Sequence, residues 1–238
     1  MEYKNYIQET GYSGRSNIRL YQADCMELLK ECPDNYYQLC IVDPPYGIGE
    51  NGSTNSIRGK LAIAKDYKSF AGGDKKPPDR KYILELMRVS KNQIIWGANH
   101  FMDAIRMHSS CWIVWDKING KNNFADCELA YTSFKTAVRQ FRFQWQGMLQ
   151  GNMKNKEIRI HPTQKPVALY TWLLTNYAKE GDKILDTHGG SMSIAIACHD
   201  LKYDLDLFEL DEYYYKAGKE RFENYAMQEQ FNFEGKNE

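Results

Sequence analysis

Short apolar runs alternate with amphipathic segments along most of this chain. The apolar runs are typical of buried strands and cover residues 18–23, 39–42, 93–96, 111–115, 126–131, 137–143, 183–186 and 205–208. The segments between them predict helices after Asp24 and at residues 79–89, 101–107, 166–177, 194–198 and 211–225. Because strands that alternate with helices form βαβ units, we expect an α/β fold with a mostly parallel sheet.

One strand ends in an unusual group of residues, Asp43-Pro44-Pro45-Tyr46, followed by Gly47. The prolines end the strand, since neither has an N–H group to donate to a sheet. The Asp43 carboxylate and the Pro44 carbonyl are two hydrogen-bond acceptors side by side, which suits an amine with two N–H donors. Tyr46 offers a flat face on which a base could stack. The alternative is an ordinary turn with a half-buried tyrosine.

A second region has the pattern of a nucleotide-binding unit. The strand 183–186 ends in Asp186, and His188-Gly189-Gly190-Ser191 then leads into a helix of small residues. Glu209 ends the next strand, at a spacing where an acid can bind ribose hydroxyl groups. Asp24 has two interpretations, as the cap of a short helix or as an acid that reaches the amine of an adenine.

The segment from His161 to Pro166 precedes a helix and contains Thr163, Gln164 and Lys165. Exposed N–H groups at a helix start attract anions, and Lys165 adds a positive charge beside them. This pattern predicts a site for a carboxylate.

Composition narrows the function classes only moderately. The chain has 238 residues, of which 42% are hydrophobic, and a formal net charge of +0. These values fit one soluble domain, residues 1–238, with a glycine-containing insertion at 48–78 that is either a lid over the substrate or a disordered loop. No apolar run approaches a membrane span and the polar N-terminus has no signal region, so we expect a cytoplasmic protein. Six scattered cysteines and five histidines form no metal-binding spacing, and no metal is expected.

Charge is distributed unevenly along the chain. Residues 135–165 contain seven lysines and arginines and one acid, whereas residues 200–238 contain eleven acids and five basic residues. Basic and aromatic residues interleave at 137–145, as in a hairpin that contacts nucleic acid, although a plain edge hairpin is the slightly favoured explanation of the pattern. The candidate DNA contacts lie in the region 120–160 and are Arg139, Arg142, Lys154, Lys156 and Arg159.

Together, the Asp43–Tyr46 motif, the 161–166 motif and the Asp186 loop with Glu209 resemble the amino-methylating DNA methyltransferases that use S-adenosylmethionine. Their order along the chain is that of the circularly permuted beta group. The resemblance implies a doubly wound, Rossmann-like mixed sheet with a reversed strand near its edge and helices on both faces. It also implies that Asp43, Pro44, Pro45 and Tyr46 are catalytic. The implied cofactor-binding residues are Asp24, Thr163, Gln164, Lys165, Asp186, His188, Gly189, Gly190, Ser191 and Glu209.

One residue departs from the family pattern. The position of the second glycine in the family's Gly-Ser-Gly turn is occupied by Met192. If this position needs a positive φ or a close approach of the backbone, Met192 should weaken cofactor binding.

The expected reaction is methyl transfer from S-adenosylmethionine to the exocyclic amine of a base flipped out of double-stranded DNA. Adenine N6 is the first choice and cytosine N4 the second. Three alternatives remain, namely an RNA methyltransferase, a protein-amide methyltransferase and a catalytically silent DNA-binding module. A homodimer is plausible because no large recognition domain is present, and no stretch of the chain reveals the recognised DNA sequence.

Overall fold

The computed structural model describes residues 8–10, 16–49, 67–68, 74–120, 125–146 and 149–234. Among these residues, nine strands form one twisted sheet in the order β1-β2-β11-β10-β3-β4-β6-β5-β7. The strands are β1 Gln8–Thr10, β2 Ile18–Gln22, β3 Tyr37–Val42, β4 Ser90–Trp96, β5 Ile113–Asp116, β6 Cys127–Thr132, β7 Arg139–Arg142, β10 Lys183–Asp186 and β11 Asp204–Glu209. A separate two-stranded ribbon pairs β8 Trp145–Gln146 with β9 Leu149–Gln150.

The helices are α1 Cys25–Glu31, α2 Arg80–Val89, α3 Met102–Ile105, α4 Val167–Tyr177, α5 Ser193–Leu201 and α6 Glu212–Glu234. Their starts follow the sequence signals. The Asp24 and Asp79 carboxylates accept backbone N–H groups of α1 and α2, and Asp211 does the same for α6. No helix in the described ranges is both long enough and apolar enough to cross a bilayer.

Helices cover both faces of the sheet. The side chains of α1 and α2, among them Leu28 and Leu86, pack with Cys40 and Val42 on one face. On the other face α4, α5 and α6 pack against the residues that alternate with these, which include Leu39 and Ile41. The predicted doubly wound mixed sheet with helices on both faces is confirmed.

The order of connections reverses between β3 and β10. From β3 the chain proceeds through α2 to β4, whereas from β10 it proceeds through α5 to β11 on the opposite side. The helices on the two sides lie on opposite faces, so a crevice opens at the carboxyl ends of β3 and β10. The Asp43–Tyr46 motif and the Asp186 loop both lie at this edge of the sheet.

Several predicted elements differ from the structure. The helix expected at 101–107 is a single turn, α3, because Arg106 adopts a left-handed conformation with φ of 51°. The strand β1 lies outside the predicted strands and pairs antiparallel with β2. The short strand β9 was not predicted either. The reversed strand near the edge is β6, which is antiparallel to both β4 and β5.

A buried carboxylate joins three strands at their other end. Asp206 of β11 has no exposed surface and accepts hydrogen bonds from Arg19 of β2 at 2.9 Å and from the Tyr37 hydroxyl of β3 at 2.7 Å. The ammonium of Lys183 on β10 lies 3.2 Å away. Removing the carboxylate leaves two partly buried cations without their counter-ion, which is costly.

We therefore expect Asp206→Ala to lower the free energy of unfolding by roughly 3 kcal/mol in urea denaturation. Asp204→Ala is the matched control, because Asp204 lies two residues earlier on the same face of β11 and, within the described part of the chain, accepts hydrogen bonds from Asn17 alone at an exposed site. The control should lose about 1 kcal/mol or less. Equal losses in the two variants would contradict this role for Asp206.

Candidate active site

Four acids lie at the carboxyl ends of four neighbouring parallel strands. Asp24 follows β2, Glu209 ends β11, Asp186 ends β10 and Asp43 follows β3. Parallel strands bring their carboxyl ends to the same edge, so acids far apart in sequence line one crevice. Asp43 and Glu209 both raise the pKa of Asp186 through charge, which shows that the three carboxylates lie close enough to interact.

The Asp43–Tyr46 turn is held by its own side chains and by a distant aspartate. The Tyr46 hydroxyl donates to Oδ1 of Asp43 at 2.6 Å. Beyond the turn, the N–H groups of Gly47 and Ile48 donate to the two carboxylate oxygens of Asp74, at 2.6 and 3.2 Å. Asp74 is buried and so fixes the backbone immediately after the aromatic ring.

The Tyr46 ring already has a flat partner. The imidazole of His100 stacks on it with ring centroids 5.3 Å apart and an interplanar angle of 14°. Gly97, with φ of 67°, makes room for the tyrosine, because a Cβ there would lie 2.0 Å from the ring. His100 also lines an open cavity of about 340 Å³ with Pro77 and Pro78. His100 therefore lies between the Tyr46 ring and this cavity, whose lining does not include Tyr46.

Lys165 contacts the Asp43–Tyr46 turn through its ammonium, and not the N–H groups at the start of α4. Its side chain is only 4% exposed, and its ammonium donates to Oδ2 of Asp43 at 2.6 Å and to the Tyr46 hydroxyl at 3.1 Å. Glu128 of β6 lies 3.0 Å away on another side and also pairs with Lys117. Sequence reasoning missed Glu128. The one available signal was a charged residue inside the otherwise apolar strand 126–131.

The carboxylates in the crevice are poorly solvated, and their pKa values are raised. Burial raises the pKa of Asp186 to about 8, and the neighbouring Asp43 and Glu209 add to the shift. Burial also raises the pKa of Asp43 and of Glu209. Lys165 lowers the pKa of Asp43 but does not fully offset burial. A cationic ligand would therefore be stabilised here.

The glycine turn packs closely on the sheet. The N–H of Gly190 donates to Oε2 of Glu209 at 2.7 Å, and that of Gly189 donates to the Phe208 carbonyl. A Cβ on Gly189 would lie 2.2 Å from the Leu207 side chain, so this position requires glycine. The carbonyl of Ser191 accepts from Arg221 of α6 at 2.7 Å. Glu209 thus supports the turn as well as lining the crevice.

Met192 adopts the conformation that glycine would favour, with φ of 56°. Its side chain is fully buried and packs under α6, where Gly218 leaves room for it. A Cβ on Gly218 would approach the methionine Cγ to 2.8 Å. The departure from the family pattern is therefore accommodated within the core layer, and its predicted effect on cofactor binding stays a prediction.

His188 is a polar aromatic residue in the loop that follows Asp186. Its Nδ1 lies 2.9 Å from the Thr187 hydroxyl, which in turn lies 2.6 Å from the hydroxyl of Tyr82. Burial lowers the pKa of His188 to about 4, so the ring is neutral, although the charge of Asp24 opposes the shift. Asp24 itself is exposed and caps α1 through the N–H of Met26 at 2.9 Å. The structural interpretation of Asp24 is confirmed, and its role toward adenine stays a prediction.

The expected carboxylate site at the start of α4 needs a correction. The N–H of Val167 is already bonded to Oε1 of Glu157 at 3.0 Å, and Arg221 holds the other oxygen at 2.8 Å. Gln164 supports its own loop, since its amide oxygen accepts from Ile160. Thr163 is exposed and lies against His161. Of this motif, Lys165 alone reaches the Asp43 turn by a contact that the structure shows.

The basic residues predicted to contact DNA fall into two groups, one exposed and one half-buried. Arg139 and Arg142 lie on β7, the last strand of the sheet, and both are exposed, as are Lys154 and Lys156. Because side chains alternate along a strand, the two arginines project from opposite faces. Arg159 is half-buried, lies over the Trp145 ring and donates to the Pro162 carbonyl at 2.8 Å.

Known proteins share both the sequence pattern and the fold. A model of the N6/N4 methyltransferases, described as DNA methylase, matches residues 131–220. The type II methyltransferase M2.MboI of Moraxella bovis is 24% identical over 230 residues, covering 83% of each chain. The resemblance to the amino-methylating DNA methyltransferases is confirmed.

Solved structures agree in fold. The M1.HpyAVI–SAM complex is similar with a TM-score of 0.54 and 20% identity, covering 86% of this chain and 99% of that one. The cytosine-N4-specific PvuII DNA methyltransferase has a TM-score of 0.57 and 13% identity, covering 94% and 96%. These likenesses show a shared fold, and the second of these neighbours is named as cytosine-N4-specific.

The packing of Met192 on Gly218 predicts a thermodynamic coupling. Gly218→Ala should destabilise the protein by about 1–3 kcal/mol through overpacking, despite the better helix propensity of alanine. In a Met192→Gly background the same change should cost clearly less, because the Met192 Cγ and Sδ contacts are gone and the Gly190 carbonyl oxygen, 3.0 Å from that Cβ, is the close neighbour that stays. Urea denaturation of the two single variants and the double variant measures this coupling. Additive effects would show that the two residues do not share this space.

Proposed function

We propose that this protein transfers a methyl group from S-adenosylmethionine to the exocyclic amine of a base flipped out of double-stranded DNA, with adenine N6 as the first choice. The observation that carries the proposal is that the Asp43 carboxylate already accepts a hydrogen bond from a nitrogen donor. The Lys165 ammonium sits 2.6 Å from its carboxylate, beside a tyrosine ring that already stacks on a flat partner. A nucleobase amine presents the same two features, N–H donors and an aromatic plane.

Each part of the turn has a role in this reaction. The Asp43 carboxylate and the Pro44 carbonyl accept the two N–H bonds of the target amine and so orient the lone pair of its nitrogen. Pro45 fixes the direction of the turn, and Tyr46 supports the plane of the base. Because burial raises the pKa of Asp43, this carboxylate suits the proton that the nitrogen loses once methylated.

The residues of the crevice fit S-adenosylmethionine. The cofactor supplies a methyl group on a positively charged sulfur, and it carries an ammonium as well. Asp186 and Glu209 have no cationic partner among the described residues, whereas Asp43 is paired with Lys165, and burial raises the pKa of all three acids. We assign Asp186 and the turn Gly189, Gly190 and Ser191 to the methionine part, Glu209 to the ribose, and Asp24 with His188 to the adenine side. Thr163 and Gln164 stay proposed neighbours of the methionine carboxylate, although the side-chain hydrogen bonds that the structure shows for them are with their own loop.

DNA is the proposed substrate because four exposed basic side chains lie along β7 and the loop before α4. Their charge would hold the phosphate backbone, which supplies most of the non-specific affinity for DNA. A homodimer would compensate for the short recognition region, and gel filtration with and without DNA tests it.

Cytosine N4 is the second candidate, favoured by the similarity to the cytosine-N4-specific PvuII enzyme. Duplex DNA incubated with the protein and S-adenosylmethionine should be digested to nucleosides and analysed by mass spectrometry. N6-methyladenine supports the first choice and N4-methylcytosine the second. RNA and protein substrates in parallel reactions test the remaining alternatives, and methyl transfer to neither DNA base would refute the proposal.

We expect Asp43→Ala to lower the rate of methyl transfer by about 100-fold or more, because the oriented acceptor for the amine is lost. The fold should survive, since Lys165 keeps Glu128 as a counter-ion. Binding of S-adenosylmethionine, measured by calorimetry, should stay within the same order of magnitude. Asp34→Ala, which removes an exposed carboxylate paired with Arg88, is the control with unchanged activity. If Asp43→Ala leaves the rate unchanged, the assignment of Asp43 as the acceptor for the target amine is wrong.

Cofactor binding should release a proton at neutral pH. The Asp186 carboxyl, with its pKa raised to about 8, is mostly protonated at pH 7, and a cationic ligand lowers that pKa and drives the proton off. Affinity should therefore rise with pH up to about 8. Calorimetry in buffers of different ionisation enthalpy measures the release, which Asp186→Asn should largely remove. An unchanged release in that variant would place the titrating group elsewhere.

A further inference from the structure

The Lys165 ammonium is surrounded by three oxygen atoms. Oδ2 of Asp43 lies at 2.6 Å, the Tyr46 hydroxyl at 3.1 Å and Oε2 of Glu128 at 3.0 Å. An ammonium has three N–H donors, and two of them are used by Asp43 and Tyr46, so one donor is left that can turn toward Glu128. The rings of Tyr46 and Trp96 face the same charge at 5.7 and 5.4 Å from their centroids.

Both oxygens of Asp43 are already engaged. Tyr46 donates to Oδ1 and Lys165 to Oδ2, each at 2.6 Å. Lysine thus holds a place on the carboxylate that the proposed target amine would need. If that amine displaced the ammonium and nothing else changed, a buried cation would lose its closest counter-ion, which is costly.

Glu128 has the capacity to replace Asp43 as this counter-ion. Its Oε2 is buried and, among the described residues, receives no hydrogen bond, because the contact with Lys165 is an ion pair outside hydrogen-bond geometry. Its other oxygen pairs with Lys117. Burial would raise the pKa of Glu128, but the two lysines outweigh it and lower the pKa to about 2, so the group stays charged.

We propose that Glu128 is a positioning residue that takes over the Lys165 ammonium while the target amine occupies Asp43. This inference rests on the proposed methyl transfer. The lysine needs only to turn its hydrogen bond from one carboxylate to another that is already 3.0 Å away, and it keeps its proton throughout. Asp43 is thereby free for the amine, and the buried charges stay balanced.

The transfer of the Lys165 ammonium from Asp43 to Glu128, called the handover below, can be tested by measuring stability, without an assay of methyl transfer. Glu128→Gln should destabilise the protein more in an Asp43→Asn background than in the wild type, because Glu128 is then the remaining carboxylate for Lys165. The loss in melting temperature should be roughly twice as large in that background. Equal losses would overturn the proposal, since Glu128 would then not take over the lysine.

A kinetic cycle tests the role in catalysis. Glu128→Gln should lower kcat by about 20-fold with an unchanged KM for S-adenosylmethionine, since Lys165 then stays on Asp43. In a Lys165→Met background the same change should alter kcat by less than about twofold, because no ammonium needs a second carboxylate. Glu128→Asp, which keeps the charge, should recover part of the rate. Asp116→Asn, on the adjoining strand β5, is a matched control that removes an ion pair with Arg142 and should leave kcat unchanged.

The outcomes separate the two proposals. A 20-fold loss that persists in the Lys165→Met background would overturn the positioning role, because Glu128 would then act independently of the lysine. Absence of methyl transfer by the wild type, together with the stability coupling, would refute the proposed function and leave the handover standing. If Glu128→Gln does not fold, Glu128→Asp replaces it in both cycles, with a smaller effect that must still vanish without Lys165.

Discussion

The site depends on one constraint, the parallel pairing of β3 with β10. These strands belong to halves of the chain that are more than a hundred residues apart, and their hydrogen bonds align Leu39 with Ile184 and Cys40 with Leu185. Strands in this register finish at the same edge, so Asp43 and Asp186 meet across the crevice. The strands on either side add Glu209 and the loop that holds Tyr46. A shift of register would invert the faces of the strand and separate the two acids.

Electrostatics follows from this geometry. Bringing carboxylates together in a poorly solvated crevice raises their pKa values, and the protein balances the arrangement with few cations. Lys165 faces Asp43 and Glu128, whereas Asp186 and Glu209 rely on backbone N–H groups. The part of the crevice nearest the glycine turn is therefore the more suitable one for a positively charged ligand. The part nearest Tyr46 suits a neutral ring that carries an amine.

The sequence allowed a site residue to be predicted where that residue directly ends a strand. Asp43, Asp186 and Glu209 each end an apolar run, and parallel strands place such residues together, so their proximity could be predicted. Glu128 could not be found in this way. It lies on the reversed strand β6, and its contact with Lys165 depends on how that strand is inserted between β4 and β5. The capping of α4 by Glu157 likewise depends on a loop path without periodicity. Met192 was recognised as unusual, but the compensating Gly218 lies on another helix.

Asp74 holds the backbone after Tyr46 from a distant point in the sequence. Gly47 and Ile48 bond to its side chain and Gly49 to its carbonyl, so the chain leaves the aromatic ring and returns toward α2 at one point. The direction of the tyrosine turn therefore depends on a side chain that lies outside the turn. A change at Asp74 would be transmitted to the ring through three backbone hydrogen bonds.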